Sequence, residues 1–152
     1  MRGALIIVLG LSAAVLACAA PARADVSCPP GTYWNGGACI EAQPGSYSPG
    51  GSATSETPCA PGYYAVLAGS SSCTAARPGY YAANAGSRDE TACPVGSYQP
   101  AAAATGCIDA DAGHFVGAAG STSEQPCQIG LYQPSTGTGD CIRADVGHFV
   151  AA

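Results

Sequence analysis

Eight cysteines set the frame of this chain. Cys28, Cys39, Cys59, Cys73, Cys93, Cys107, Cys127 and Cys141 follow a short interval and then long and short ones in strict alternation. A 34-residue period results, with Cys59, Cys93 and Cys127 in one register and Cys39, Cys73, Cys107 and Cys141 in the other. Repetition at a fixed spacing is the mark of like units stacked in a line. Little else in the chain could organise a fold. The hydrophobic fraction of 47% is, past residue 24, mostly alanine with tyrosine, cysteine and a few larger aliphatics. Burial yields about 25 cal/mol per Å², and alanine has few Å² to bury. No stretch there carries apolar residues at helical spacing, and Gly or Pro intervenes every few residues. Crosslinks are therefore expected to do the work of a core. The fold class expected is a small disulfide-rich one: an extended tandem array of short β-ribbon and turn modules, with little or no helix outside the leader.

An even number of cysteines in an exported, core-poor chain argues for disulfides. Translational symmetry leaves two simple connectivities. Pairing across the long gaps makes three bridges and strands Cys28 and Cys141. Pairing across the short gaps makes Cys28–Cys39, Cys59–Cys73, Cys93–Cys107 and Cys127–Cys141 and strands nothing, and this is the expected set. Each would add on the order of 3 kcal/mol by restricting the unfolded chain. Zinc is the usual rival for clustered cysteines. The chain has no C-x-x-C or C-x-C pair, and neither histidine stands at ligand spacing from two cysteines, so no metal or other cofactor is expected.

Export is read from the first residues. Met1-Arg2 is a positive start, Ala4 to Ala17 an unbroken apolar run, and Ala22-Arg23-Ala24 a small-x-small cleavage site placing the mature start between Ala24 and Asp25. The run is shorter than the roughly 20 residues that span a bilayer, so no membrane span is expected. Val15-Leu16-Ala17-Cys18 offers a competing reading, a lipobox in which Cys18 becomes a lipidated first residue. From Asp25 onward there are three arginines, Arg77, Arg88 and Arg143, no lysine, and ten carboxylates, for a net charge of −7. Nucleic acid and anionic lipid would repel such a chain. The expected location is secreted or cell-surface, or the periplasm.

The units aligned on their first cysteine repeat two further features. Gly31, Gly62, Gly96 and Gly130 follow three residues after it, and Tyr33, Tyr64, Tyr98 and Tyr132 two residues later. The connecting halves share this logic, with Gly45, Gly79, Gly113 and Gly147 preceding Tyr47, Tyr81, Phe115 and Phe149. A glycine after proline or a small residue supplies a turn with positive φ. The aromatic is expected to fold over the disulfide or the next turn as a miniature core; an exposed ligand-contacting row is the competing role. Flanking segments are expected to pair as two-stranded ribbons too short to stand alone. The boundaries read as a leader over 1–24, a shortened first repeat over 25–58, repeats over 59–92 and 93–126, and an incomplete fourth over 127–152. Trp34, in the shortened unit, is expected to seal the end of the array.

The string C-x-x-G-x-Y-x(4–5)-G-x-x-x-C in tandem resembles the ephrin-receptor-like, or GCC2/GCC3, cysteine-rich repeats, which are similar to the simplest tumour-necrosis-factor-receptor-type module. Cys59-Ala-Pro-Gly-Tyr-Tyr matches best, and the likeness runs from Cys28 onward. It implies an extracellular scaffold with no enzymatic activity and no defined ligand. Those repeats usually continue C-x-x-C-P-x-G. Here the second cysteine is replaced throughout, by Ala42, Ala76, Ala110 and Ala144. The inter-module crosslink is thereby lost, and neighbouring modules are expected to move more freely.

Candidate chemistry is sparse. His114 and His148 share a register that elsewhere holds Ser46 and Tyr80, which fits an exposed, variable position. Asp109-Ala-Asp111-Ala-Gly113 opens like a calcium loop but lacks its later glycine and closing glutamate; a calcium-binding repeat is kept only as an alternative. Glu56, Glu90 and Glu124 recur three residues before a cysteine, where a carboxylate caps a turn. No serine stands in a nucleophile elbow and no glycine-rich loop precedes a helix, so no enzyme is expected. The sequence points to a secreted or cell-surface scaffold or adhesion module whose partner, a protein or a glycan, it does not identify.

Overall fold

A computed structural model describes residues 26–145, and these contain β-structure and turns but no helix. Seven two-stranded antiparallel sheets follow one another along the chain. The hairpins are β1 (Thr32–Trp34) with β2 (Cys39–Glu41), β3 (Ser46–Tyr47) with β4 (Thr57–Pro58), and β5 (Tyr63–Tyr64) with β6 (Thr74–Ala75). They continue with β7 (Tyr80–Tyr81) and β8 (Thr91–Ala92), then β9 (Ser97–Tyr98) and β10 (Ile108–Asp109). The last are β11 (His114–Phe115) with β12 (Gln125–Pro126), and β13 (Leu131–Tyr132) with β14 (Ile142–Arg143). This is the small disulfide-rich ribbon array. Its unit, though, is one hairpin, and two hairpins fill each cysteine period.

Every hairpin is launched by the same turn. In Ala60-Pro61-Gly62-Tyr63 the Tyr63 amide donates to the Ala60 carbonyl and Gly62 sits at φ 86°. Proline presets the first central dihedral and only glycine takes the second without strain, which is the recipe for a type II turn. The equivalent bond recurs from Thr32 to Pro29, Ser46 to Gln43, Tyr80 to Arg77, Ser97 to Pro94, His114 to Asp111 and Leu131 to Gln128. Gly31, Gly45, Gly79, Gly96, Gly113 and Gly130 all take positive φ; Gly147 lies outside the described residues. From Gly45 to Gly130 these turns recur at half the cysteine period.

Strands of two residues cannot hold a ribbon together, so the hairpins hold one another. The Gly62 amide donates to the Ala82 carbonyl of the next hairpin, and the Ala65 amide to its Ser87 carbonyl. The same two bonds leave Gly45 and Ser48, Gly79 and Ala82, Gly96 and Gln99, with one more from Gly113 and one from Val116. A third set skips a hairpin: Gly69 donates to the Ala42 carbonyl, Gly86 to Cys59, Ala103 to Ala76, Gly120 to Cys93 and Gly137 to Ala110. Each inter-hairpin backbone bond thus reaches the next unit or the next but one. The joints expected to be loose after loss of a cysteine carry this ladder.

What is buried beneath it corrects the expected miniature cores. Apart from glycines, the buried residues among those described are Cys28, Ala42, Cys59, Ala65, Ala76, Ala82, Cys93, Ala110 and Val116, with Ser48 and Ser97. No aromatic is among them. Tyr33, Tyr47, Tyr64, Tyr81, Tyr98, Phe115 and Tyr132 are half-buried on the ribbons; Phe149 lies outside the described residues. The reason is distance. A Cβ on Gly62 would fall on the Ala103 carbonyl, and the corresponding clash recurs at Gly31, Gly45, Gly79 and Gly96. Backbones that approach so closely leave interior room only for small side chains. Large rings are confined to the flanks.

Candidate functional site

The seams between hairpins gather the chemistry-bearing side chains. The structure joins Cys28–Cys39, Cys59–Cys73, Cys93–Cys107 and Cys127–Cys141, with Cα separations of 5.6 to 5.9 Å. Cys59 closes the second hairpin, its amide donating to the Gly45 carbonyl, whereas Cys73 immediately precedes β6 of the third. A bridge therefore sews the end of one hairpin to the body of the next. Only alternate seams are sewn in this way. At the others Ala42, Ala76 and Ala110 make the amide bond that Cys59 makes, to Gly31, Gly62 and Gly96, and are fully buried like it.

At those other seams a carboxylate takes the register of the sulfur. Cys73, Cys107 and Cys141 stand eleven residues after their turn glycine, and so do Glu56, Glu90 and Glu124. Glu56 Oε2 accepts from the Gln43 amide at 2.6 Å, Glu90 Oε2 from Arg77 at 2.9 Å, and Glu124 Oε2 from Asp111 at 2.7 Å. Each donor follows the alanine that replaces a cysteine. The glutamates were expected to cap a turn, and they do: each reaches from just before the second strand of its hairpin back to the first residue of its launching turn. They do so in the register where the other seams hold sulfur.

The clasps differ in their surroundings. Glu90 is additionally paired with Arg77 Nε at 2.8 Å, with 9% of its side chain exposed against 64% for the arginine. The Arg77 guanidinium lies 4.0 Å from the Tyr80 ring centre, in the range of a cation–π contact. At the next carboxylate seam His114 Nδ1 lies 3.9 Å from Glu124 Oε1, too long for a hydrogen bond. That nitrogen is buried with no hydrogen-bond partner among the described residues. The register expected to be exposed is half-buried here, because β11 pairs with β12 and brings His114 opposite Pro126. His148 lies outside the described residues.

One seam also opens a cavity. Between the second and third hairpins, Tyr47, Thr57, Pro58, Tyr63 and Ser72 surround about 380 Å³ beside Cys73. The lining has no charged side chain. Tyr63 is exposed, and no other disulfide seam has a tyrosine there: the equivalent residues are Ser97 and Leu131. Ser72 is likewise replaced, by Gly106 and Asp140.

Among the described residues no three histidine, cysteine or carboxylate side chains gather to hold a metal. Asp109 and Asp111 are not brought together: Asp109 lies on β10 paired with Ser97, while Asp111 starts the next turn. Trp34 ends β1, half-buried, its amide bonded to the Ala53 carbonyl of the second hairpin. Cys18 and the Ala24–Asp25 junction fall outside the described residues. No described helix is long and apolar enough to cross a membrane.

Sequence reasoning passed over a second glycine set. Gly69, Gly86, Gly120 and Gly137 take φ of 69° to 74° at the hairpin tips, where Ala103 takes 56°. Their common offset of seven residues from the turn glycine was available as a signal. No protein-family model matches the chain, and comparison with characterised proteins finds no relative.

Proposed function

We propose that this chain is a secreted or cell-surface, non-enzymatic repeat scaffold that holds attached or bound molecules at a set spacing along a thin array. One observation carries this reading. Among the described residues, backbone bonds tie hairpins to the next and the next but one, disulfides cross alternate seams, and at the seams between them a carboxylate fastens the launching turn of its hairpin. Such connectivity propagates along one direction and suits a spacer. Four disulfides belong to an oxidising compartment, in keeping with the leader-like first residues. The likeness of the Cys59-Ala-Pro-Gly-Tyr-Tyr module to ephrin-receptor-like repeats supports the same reading. So does the scatter of acidic charge, which keeps an exposed rod soluble.

Small-angle scattering of the exported chain, with and without reductant, tests it. A compact chain of this described length would have a radius of gyration of about 14 Å. The scaffold should exceed that clearly while oxidised, with the profile of a stiff rod, and lose the rod profile on reduction. A compact oxidised form would refute it. A second reading, that the array is itself an adhesive surface, is favoured by the cavity at the Tyr47–Tyr63 seam. Retention of the purified chain on matrix or host-cell surfaces separates binder from pure spacer.

A further inference from the structure

We infer that the seam between the second and third hairpins is a subsite for an uncharged sugar ring. The inference rests on the adhesive reading above and gives it a ligand class. Two tyrosines, Tyr47 and Tyr63, line an open cavity of about 380 Å³, within the roughly 300–1,000 Å³ of small-ligand sites. Aromatic faces carry partial negative charge. They attract the polarised C–H face of a pyranose, whereas an ordinary aliphatic lining offers only burial.

Polar complementarity points the same way. Hydroxyls of Thr32, Ser70, Ser87, Ser97 and Ser121 are spent on backbone carbonyls three residues earlier. Thr57 and Ser72 also line the cavity, both exposed to solvent. A hydroxyl both donates and accepts, so these two, with the tyrosine hydroxyls, match the mixed rim of a sugar. The absence of charge in the lining disfavours an ionic ligand, which would meet no counter-charge there.

A proline-rich peptide is the other ligand that aromatic grooves take. It needs an aromatic track several residues long. At the adjacent seam the same registers hold Tyr64 and Tyr80, but the Arg77 guanidinium already lies 4.0 Å from the Tyr80 ring centre. The next disulfide seams replace Tyr63 with Ser97 and Leu131, so no run of open tyrosines continues from this cavity. A single ring fits the confinement better than an extended peptide.

The test uses the oxidised, exported chain. Affinity electrophoresis through dextran, mannan, galactan and xylan, with a polyproline peptide titrated separately, identifies the class. Retardation by at least one neutral polysaccharide is expected. Ring resonances of Tyr47 and Tyr63 should shift on titrating the matching oligosaccharide. Tyr63→Ser, which installs the residue of the fifth hairpin, should weaken binding by about tenfold or more, the loss of one stacking face. Its melting temperature should be preserved, since the ring is exposed. Thr57→Val, which keeps the shape and removes a hydroxyl, should weaken binding without altering the fold. Binding that survives both substitutions overturns this subsite while leaving the adhesive reading intact. Retardation by none of the polysaccharides, or binding of the polyproline peptide alone, overturns the sugar assignment and leaves the scaffold reading to its scattering test.

Discussion

Removing the carboxylate clasps one at a time asks whether they hold the array as the disulfides do. Glu90 accepts from the Arg77 amide at 2.9 Å and pairs with the Arg77 guanidinium at 2.8 Å. A hydrogen bond to a charged group contributes about 1.5–3 kcal/mol. Water can partly replace the carboxylate at the exposed Arg77 amide, which puts the lower half of that range in force. The side-chain pair adds less, about 0–1 kcal/mol, because Arg77 is mostly in solvent. Glu90→Ala should therefore destabilise by about 2 kcal/mol, and Arg77→Ala by about 1 kcal/mol or less, including its contact with Tyr80. Glu56 and Glu124 provide the control. They make the same amide bond at 2.6 and 2.7 Å, but Gln43 and Asp111 stand in the arginine's register. Urea unfolding under non-reducing conditions should show all three Glu→Ala changes as costly, alike to within about 1 kcal/mol. If Glu90→Ala alone were costly, or matched by Arg77→Ala, the ion pair would be the clasp and the reasoning would fail.

Four further outcomes follow from the backbone and the cysteine register. Ala76→Cys with Glu90→Cys should form a fifth disulfide, because the equivalent Cys59 and Cys73 have Cα atoms 5.7 Å apart; intact mass two hydrogens lighter without free thiol checks it. Gly62→Ala should cost roughly 3 kcal/mol or more, combining positive-φ strain with a clash against the Ala103 carbonyl. Gly51→Ala, at φ 63° with open space around it, should cost about 1 kcal/mol in the same unfolding assay. Ala103→Gly should raise the melting temperature by a few degrees. It relieves a left-handed alanine worth about 1–2 kcal/mol and returns part of that as unfolded-chain entropy.

Much of the local structure was legible residue by residue. Pro61-Gly62 announces a type II turn because a dihedral constraint acts within four residues and needs no partner. The spacing of the cysteines announces a repeat for the same reason, since a period belongs to the chain itself. The glutamates were harder. Their recurrence three residues before Cys59, Cys93 and Cys127 pointed to a turn cap, but a carboxylate has many donors within reach, and which amide it takes was not legible. The aromatics misled because large apolar residues usually fill interiors. Here the spacing between backbones set the limit, and no sequence pattern reports that spacing.

The amino-acid order alone therefore determined where the chain turns, that its units recur, and that crosslinks replace a hydrophobic interior. All of these depend on backbone dihedrals, composition and count. Only the stacked structure decided that hairpins bond to the next and the next but one and that Glu90 closes onto the Arg77 amide. It also decided that alanines such as Ala76 form the interior while tyrosines stay at the flanks. Those facts depend on which groups meet across stretches of chain much longer than a turn, as Glu90 meets Arg77 and Gly62 meets Ala103. Such meetings are set by how closely successive ribbons pack.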